Sequence, residues 1–498
     1  MKVPTDNIYQ LIQSMTASEK RYFKRHYASE KNLTTDLFDF INSMDEYEEE
    51  NVKRHFANSK LAKNLKVYKV QLMELLLKSL TSYHSKKNIR SKIRMGLEEV
   101  EILMDKQLHS MALNRLRKIK ELCLKHEELE YIFSITYFEI FLSSFFDVNL
   151  NPSDYTVLQE LESFIDTLKR IYHLKRINFY LNDKNNNELT QSLRPEEITE
   201  YETLLSKDLA LPEGRQLTLS EQYYRNSSLS IIHKLAYQDA EQEFHYKKNN
   251  VSLFEANPHF IKSNAGFYFA ALFNFLVCCR RLNRSAELES GLLRIKALLQ
   301  QAPFLKRNYI FIYYLETKHL FLQRKYQPIV EEMEPETTRH INKYQQKGEH
   351  LTALIFIYFT LTHLVLRDYH KVHFYLRRLS NLSKDLDPGY TYFFHLLELI
   401  SHQETADQFV IQNLLSSHRR KNKNRKKPSP FFTETLAFFR QFNKSSPEAK
   451  PDHIADYENQ LTDIATDSTL NIAREFILDD WLRALKNKRT YADEMSAP

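Results

Sequence analysis

A chain of 498 residues is too long for one ordinary compact domain, so either several domains or one elongated array is expected. Only 6 residues are Gly; folds that depend on Gly at positive φ, such as tight β-hairpins, dinucleotide crossovers and phosphate loops, have few places to form. The net charge of +6 is mildly basic and does not by itself imply a nucleic-acid partner.

What remains favours an all-α chain. Leu, Lys, Glu and Gln are abundant helix formers. The 33 Phe and 29 Tyr against a single Trp suit helices that pack at an angle. Cys123, Cys278 and Cys279 make neither a disulfide framework nor a metal-binding CxxC pair, which places the chain in a reducing, cytoplasmic compartment. The first residues lack a basic segment followed by an apolar run, so no signal peptide is expected. The longest apolar runs, Gly266–Cys279 and Thr352–Leu366, are shorter than the roughly 20 residues that span a bilayer. No membrane insertion is expected.

In chain order, residues 1–85 read as an N-terminal helical cap domain. Ser18 is the expected N-cap of a first helix, with Arg21 where a capping box would want an acid. A second helix runs through LTTDLFDFINSM, and an acidic turn or helix start follows at 45–50. A long amphipathic helix over 61–83 places Leu65, Tyr68, Leu72, Leu76 and Leu80 on one face. Short helices leading into a long one also fit a helix-turn-helix, but the turn chemistry is absent.

Helical repeats are expected over 86–418. Ala112 marks a close helix crossing. Tyr237 with Ala240, Tyr326 and Tyr369 mark comparable junctions, and Ser285 another. Tyr326 and Tyr369 lie about 40 residues apart, as does Ser285 from Tyr326; a two-helix repeat of that length indicates an α-solenoid of antiparallel helix pairs. An irregular polar insertion, punctuated by Pro195, Pro212 and Gly214, is expected near 181–216 around a short helix at 196–207. Pro388–Gly389 reads as a turn before another helix. A basic loop over 419–430 and a C-terminal helical cap over 431–498 complete the chain; Trp481 and Leu482 lie on the apolar side of the cap's last helix.

The tyrosine-then-alanine junctions resemble tetratricopeptide (TPR) helix pairs. The likeness is degenerate. The family's glycine, two residues before the tyrosine, is replaced by Gln107, Leu235, Arg324 and Arg367, and its alanine by Ile329 and Val372 in the two later junctions. The arrangement, with SLFEANPHFI after one pair and EFILDDWLRALKNK near the end, also resembles helical-repeat proteins of Bacteroidota-type bacteria. The resemblance implies a TPR-like fold and no activity.

Catalytic chemistry is not legible. Phosphate-loop, GxGxxG, GxSxG and HExxH patterns are absent, so no catalytic, cofactor or metal residues are assigned and no enzyme is expected. His370 and His373 share a helical face without the further ligands a metal needs. Arg280 and Arg281 after Cys279 could lower its thiol pKa, but no partner base is evident. Acidic groups such as Glu331–Glu332 read as solvated faces.

Two basic patches stand out. One holds Lys20, Arg21, Lys24 and Arg25. The other holds Arg419, Arg420, Lys421, Lys423, Arg425, Lys426 and Lys427. They suit phosphates or an acidic protein partner, and equally suit a solvated linker or the carbonyl end of a helix. In an α-solenoid the first helices of each pair line a concave groove, where Tyr309 and Tyr313 are candidates for contact; packing against the next repeat explains them equally well. The expected function is a non-catalytic scaffold binding a protein or peptide, with a nucleic-acid-associated regulator as the alternative.

Overall fold

The computed structural model describes residues 7–27, 32–44, 47–85, 88–146, 154–186, 195–207, 216–344, 350–382, 388–405, 407–423, 429–465 and 467–497. These residues form helices joined by short turns, with no strand among them. The chain divides into two compact units. The first comprises Met1–Phe179, Glu200–Arg225 and Ala256–Ser263; the second comprises Tyr180–Thr199, Asn226–Glu255 and Asn264–Pro498.

In the first unit, the helices up to residue 85 share a core built on Ile12, Phe23, Leu37, Phe38, Ile41, Leu72 and Leu76. The first expected N-cap moves. Thr16, not Ser18, caps the helix Ala17–Tyr27: the Thr16 N–H and hydroxyl both donate to Glu19 Oε2 (2.6 and 2.9 Å), and the Glu19 N–H returns to Thr16 Oγ1 (3.3 Å). The box is therefore complete, because an acid stands three residues after Thr16 and not after Ser18. The expected long helix breaks at Asn64 into Lys60–Lys63 and Leu65–Ser85, and its predicted apolar face holds Leu65, Leu72 and Leu76 fully inside.

A second core follows around the pair Ile89–Asp105 and His109–His126. Gly96 sits mid-helix at a cost of about 1 kcal/mol relative to Ala. A Cβ there would lie 2.8 Å from the Ile119 side chain, so the missing side chain is what lets these two helices approach.

Several expected irregular segments are helical. The helix Asp154–Asn186 runs through the start of the expected polar insertion, because its Leu174, Ile177 and Leu181 stripe remains buried to that point. The short helix is present as Pro195–Lys207, whereas Pro212 and Gly214 lie outside the described residues. Pro388 and Gly389 form the first turn of Pro388–Glu404 rather than a preceding turn. Proline is suited to that place, where its missing N–H has no intrahelical partner. The helix Gln408–Lys423 likewise continues into the expected basic loop. Lys and Arg are good helix formers, and their charges complement the carbonyl end of the helix dipole.

In the second unit, one core runs from Ile310 to Met495. Trp481 is buried as its apolar position predicts and stacks on Phe439 at 5.3 Å between ring centroids. The expected terminal helix is Leu478–Lys486, and a further short helix, Tyr491–Ser496, follows it with Tyr491 fully buried.

The junctions between paired helices repeat one geometry. Gln107, Asn283, Arg324 and Arg367 adopt positive φ of 58°, 54°, 58° and 60°. After each, the next backbone N–H reaches five residues back: Leu108 to Leu103, Arg284 to Cys279, Lys325 to Leu320 and Asp368 to His363, at 2.8–2.9 Å. This C-terminal cap ends one helix and starts the next two residues later. Gln107, Arg324 and Arg367 are three of the positions where glycine was missed in the sequence. They accept the left-handed conformation at about 1–2 kcal/mol each, and the cap hydrogen bonds offset it.

Candidate functional site

The Gln238 junction departs from this pattern. Gln238, not Leu235, has the positive φ of 53°, which corrects the expected register by three residues. The preceding turn His233–Tyr237 is π-helical, and the Asp239 N–H reaches six residues back to His233 at 3.0 Å. One extra residue has been absorbed before the cap. Ala240 therefore occupies the tyrosine place and Glu243 the alanine place. Elsewhere that buried place holds Ala112, Leu288, Ile329 and Val372, each 0% exposed; Glu243 is 1% exposed.

A buried carboxylate is tolerated only with partners. Glu243 has two: the Lys247 ammonium and the Arg281 guanidinium both donate to it. Lys234, on the π-helical turn, donates to Asn185 Oδ1 at 2.8 Å. Burial pulls the Lys234 ammonium pKa down, partly opposed by the Glu243 charge. A turn away, Arg284 stacks over the Phe244 ring at 4.0 Å.

Beside this cluster lies a surface cleft of about 300 Å³. Its walls come from the helices Ala240–Glu255 and Ser285–Gln301, and Phe275 of Ala265–Arg281 contributes an aromatic surface. Val251 and Ala286 add apolar surface; Lys248, Glu255, Glu287 and Arg294 supply charge of both signs. Arg294 Nη1 is held by Glu255 Oε1 at 2.6 Å, and the same oxygen accepts from the Tyr268 hydroxyl at 3.0 Å. The rim is thus positioned by its own hydrogen bonds. Gly291, buried behind the cleft, has no Cβ to collide with Leu276, which lets the helices Ser285–Gln301 and Ala265–Arg281 close up.

A second buried carboxylate, Glu334, directly follows another π-helical turn, Ile329–Met333. His363 Nε2 lies 2.7 Å from one oxygen; the Tyr375 hydroxyl and Lys371 ammonium donate to the other at 2.7 and 2.9 Å. Burial would raise the carboxyl pKa, but these hydrogen bonds outweigh it and hold the value at about 2. Neither Glu243 nor Glu334 was singled out from the sequence. The signal for Glu243 was its spacing from the next junction, legible only once the extra residue was placed. Glu334 follows two acids that read as a solvated face.

Tyr309 and Tyr313 lie on the helix Tyr309–Leu322, half-buried, with ring centroids 5.9 Å apart. Both pack against His340, at 6.1 and 5.4 Å. Burial pushes the Tyr313 hydroxyl pKa up to about 12. They do not line the cleft over Phe275.

In the first basic patch, Lys20 donates to Asn42 Oδ1 at 2.6 Å and Lys24 pairs with Asp39 at 2.6 Å, while Arg21 and Arg25 are exposed. In the second, Arg419 and Arg420 are exposed on the helix Gln408–Lys423, which also contains Lys421 and Lys423; Arg425, Lys426 and Lys427 lie outside the described residues.

The cysteines are buried and free. Burial pushes the Cys123 and Cys279 thiols up to about 12, so neighbouring arginines do not activate Cys279. His373 and His402, on different helices, stack at 4.7 Å; His395 and His418 approach to 4.0 Å. Among the described residues no group of three His, Cys, Asp or Glu side chains is placed to hold a metal ion, and no helix is long and apolar enough to cross a membrane. No family model, curated protein or solved structure matches the chain.

Proposed function

We propose that the chain is a non-catalytic protein–protein interaction scaffold, a TPR-like α-solenoid of antiparallel helix pairs that works in the cytoplasm. The observation that carries this reading is the cleft over Phe275. It combines an apolar surface with charges of both signs on neighbouring helices, suited to one apolar side chain of a bound segment and its charged flanks. Lys248 and Arg294 favour an acidic flank, and Glu255 and Glu287 a basic one. Ser290 is exposed at the rim, so Ser290→Trp fills the cleft without touching the core. Peptides selected from a random library on the full chain should carry an apolar anchor and lose about tenfold or more in affinity on Ser290→Trp. Peptides that bind both forms equally would remove the cleft from the proposal.

A nucleic-acid-associated role through residues 20–25 and 419–427 is the second reading, favoured by the exposure of Arg21, Arg25, Arg419 and Arg420. Its signature is binding to DNA or RNA that falls steeply with salt and weakens on Arg419→Gln with Arg420→Gln.

A further inference from the structure

The helix Asp154–Asn186 has 33 residues and buries one face, including Val157, Ile171, Leu174, Ile177 and Leu181. Its other face carries a second apolar stripe. Leu158, Ile165, Tyr172 and Phe179 recur at a strict interval of seven and are 46%, 37%, 53% and 73% exposed. At a rise of about 1.5 Å per residue the stripe is about 30 Å long. Scattered exposed apolar residues need no explanation, but four in line along one helix make a continuous apolar strip against which another helix can pack.

The charges on the same helix identify the occupant. From Val157 to Leu168 the charged residues are Glu160, Glu162 and Asp166; from Lys169 to Leu181 they are Lys169, Arg170, Lys175 and Arg176. Glu160 pairs with Lys120, Asp166 with Lys169 and Arg170 with Glu221, which leaves exposed Glu162 in the first half and exposed Arg176 in the second for a partner. The sign changes between Leu168 and Lys169, which is also the midpoint of the stripe. A helix with an outward acid, Glu162, in one half, an outward base, Arg176, in the other and an apolar line symmetric between them is complementary to itself when reversed.

We infer that this face binds a second copy of the chain, the two Asp154–Asn186 helices pairing antiparallel about a two-fold axis near Leu168 and Lys169. Leu158 of each copy then meets Phe179 of the other, and Ile165 meets Tyr172. Exposed Glu162 faces exposed Arg176 across the seam. A two-fold contact of this kind uses the same patch on both copies and closes at two. The parallel alternative would set acid against acid and base against base, which is unfavourable at close range.

The test is sedimentation equilibrium of the full chain, with circular dichroism to verify helix content in each variant. The wild-type chain should dimerise, more weakly at high salt. Ile165→Glu with Phe179→Glu should weaken the dimer by about tenfold or more, as should either Glu162→Arg or Arg176→Glu alone, and combining the two charge reversals should restore it. Leu158→Cys with Phe179→Cys should form a disulfide between copies, whereas Leu158→Cys alone should not. A wild-type chain that stays monomeric overturns the inference. So does a dimer indifferent to the stripe substitutions, or a Leu158→Cys self-crosslink, which would show parallel pairing. A stripe occupied by another part of the same chain would appear as a monomer in which these variants change helix protection, and would overturn it as well.

Discussion

At the Arg367 junction the chain buries Val372 among apolar neighbours; at the Gln238 junction the equivalent place holds Glu243 with Lys247 and Arg281. Both turns carry a left-handed residue and hand the chain to the next helix two residues later. The caps differ, since the closing N–H reaches six residues back at Gln238 and five at Arg367, yet both start the next helix at the same distance from the left-handed residue. The difference lies in what each site requires of its surroundings. Val372 needs only volume and apolar contact. Glu243 needs cations in place, and one of them, Arg281, comes from a different helix. A charged junction thus ties neighbouring helices together by specific partners, where an apolar one holds them by shape.

The sharpest way to break the comparison is to remove each buried group in turn. Glu243→Ala leaves Lys247 and Arg281 without their shared carboxylate and should destabilise the chain by about 3–5 kcal/mol in denaturant unfolding. Val372→Ala should cost about 2 kcal/mol, from lost burial and the small cavity left behind. If Glu243→Ala cost no more than Val372→Ala, the ion cluster would not be structurally different from an apolar contact. Converting the cluster to apolar groups, Glu243→Leu with Lys247→Met and Arg281→Met, should recover most of the loss, because no charge is then left unpaired.

Glu334 extends the comparison to pH. Its folded-state pKa of about 2 lies below the ordinary carboxylate value of 4.5. Its contribution to stability is therefore full above about 4.5 and is lost as pH falls toward 2. Glu334→Gln should cost about 2–3 kcal/mol at neutral pH, by leaving its hydrogen-bond donors around an uncharged amide. It should also flatten the acid limb of the stability profile between those two values. An unchanged acid limb would show that the carboxylate titrates normally.

The smallest effect is expected at the turns themselves. Gln107→Gly relieves a left-handed φ of 58° but adds freedom to the unfolded chain. The net change should be a gain of no more than about 1 kcal/mol in thermal or denaturant unfolding. A clear loss would mean that the Gln107 side chain makes a contact of its own.

The helical class was legible because glycine scarcity and apolar spacing act at every position, and the apolar face through Leu65, Leu72 and Leu76 needs only counting. Junction positions at Tyr326 and Tyr369 were legible because an aromatic begins the second helix there. The Gln238 register was not. A π-helical turn inserts one residue without any composition signal, and Tyr237 with Ala240 mimics the expected pair three residues early. Helix ends were hidden where proline can start a helix, as at Pro388, or where lysine and arginine can prolong one, as at Lys423. The cleft over Phe275 combines residues from three helices, and no local pattern announces such a meeting.

The proposed scaffold role is tested most directly by hydrogen exchange of the full chain, alone and saturated with a peptide selected on it. The expected result is protection confined to the helix segments that carry Lys248 to Glu255 and Ala286 to Arg294, abolished by Ser290→Trp. Protection that leaves these segments unchanged and falls elsewhere would contradict it.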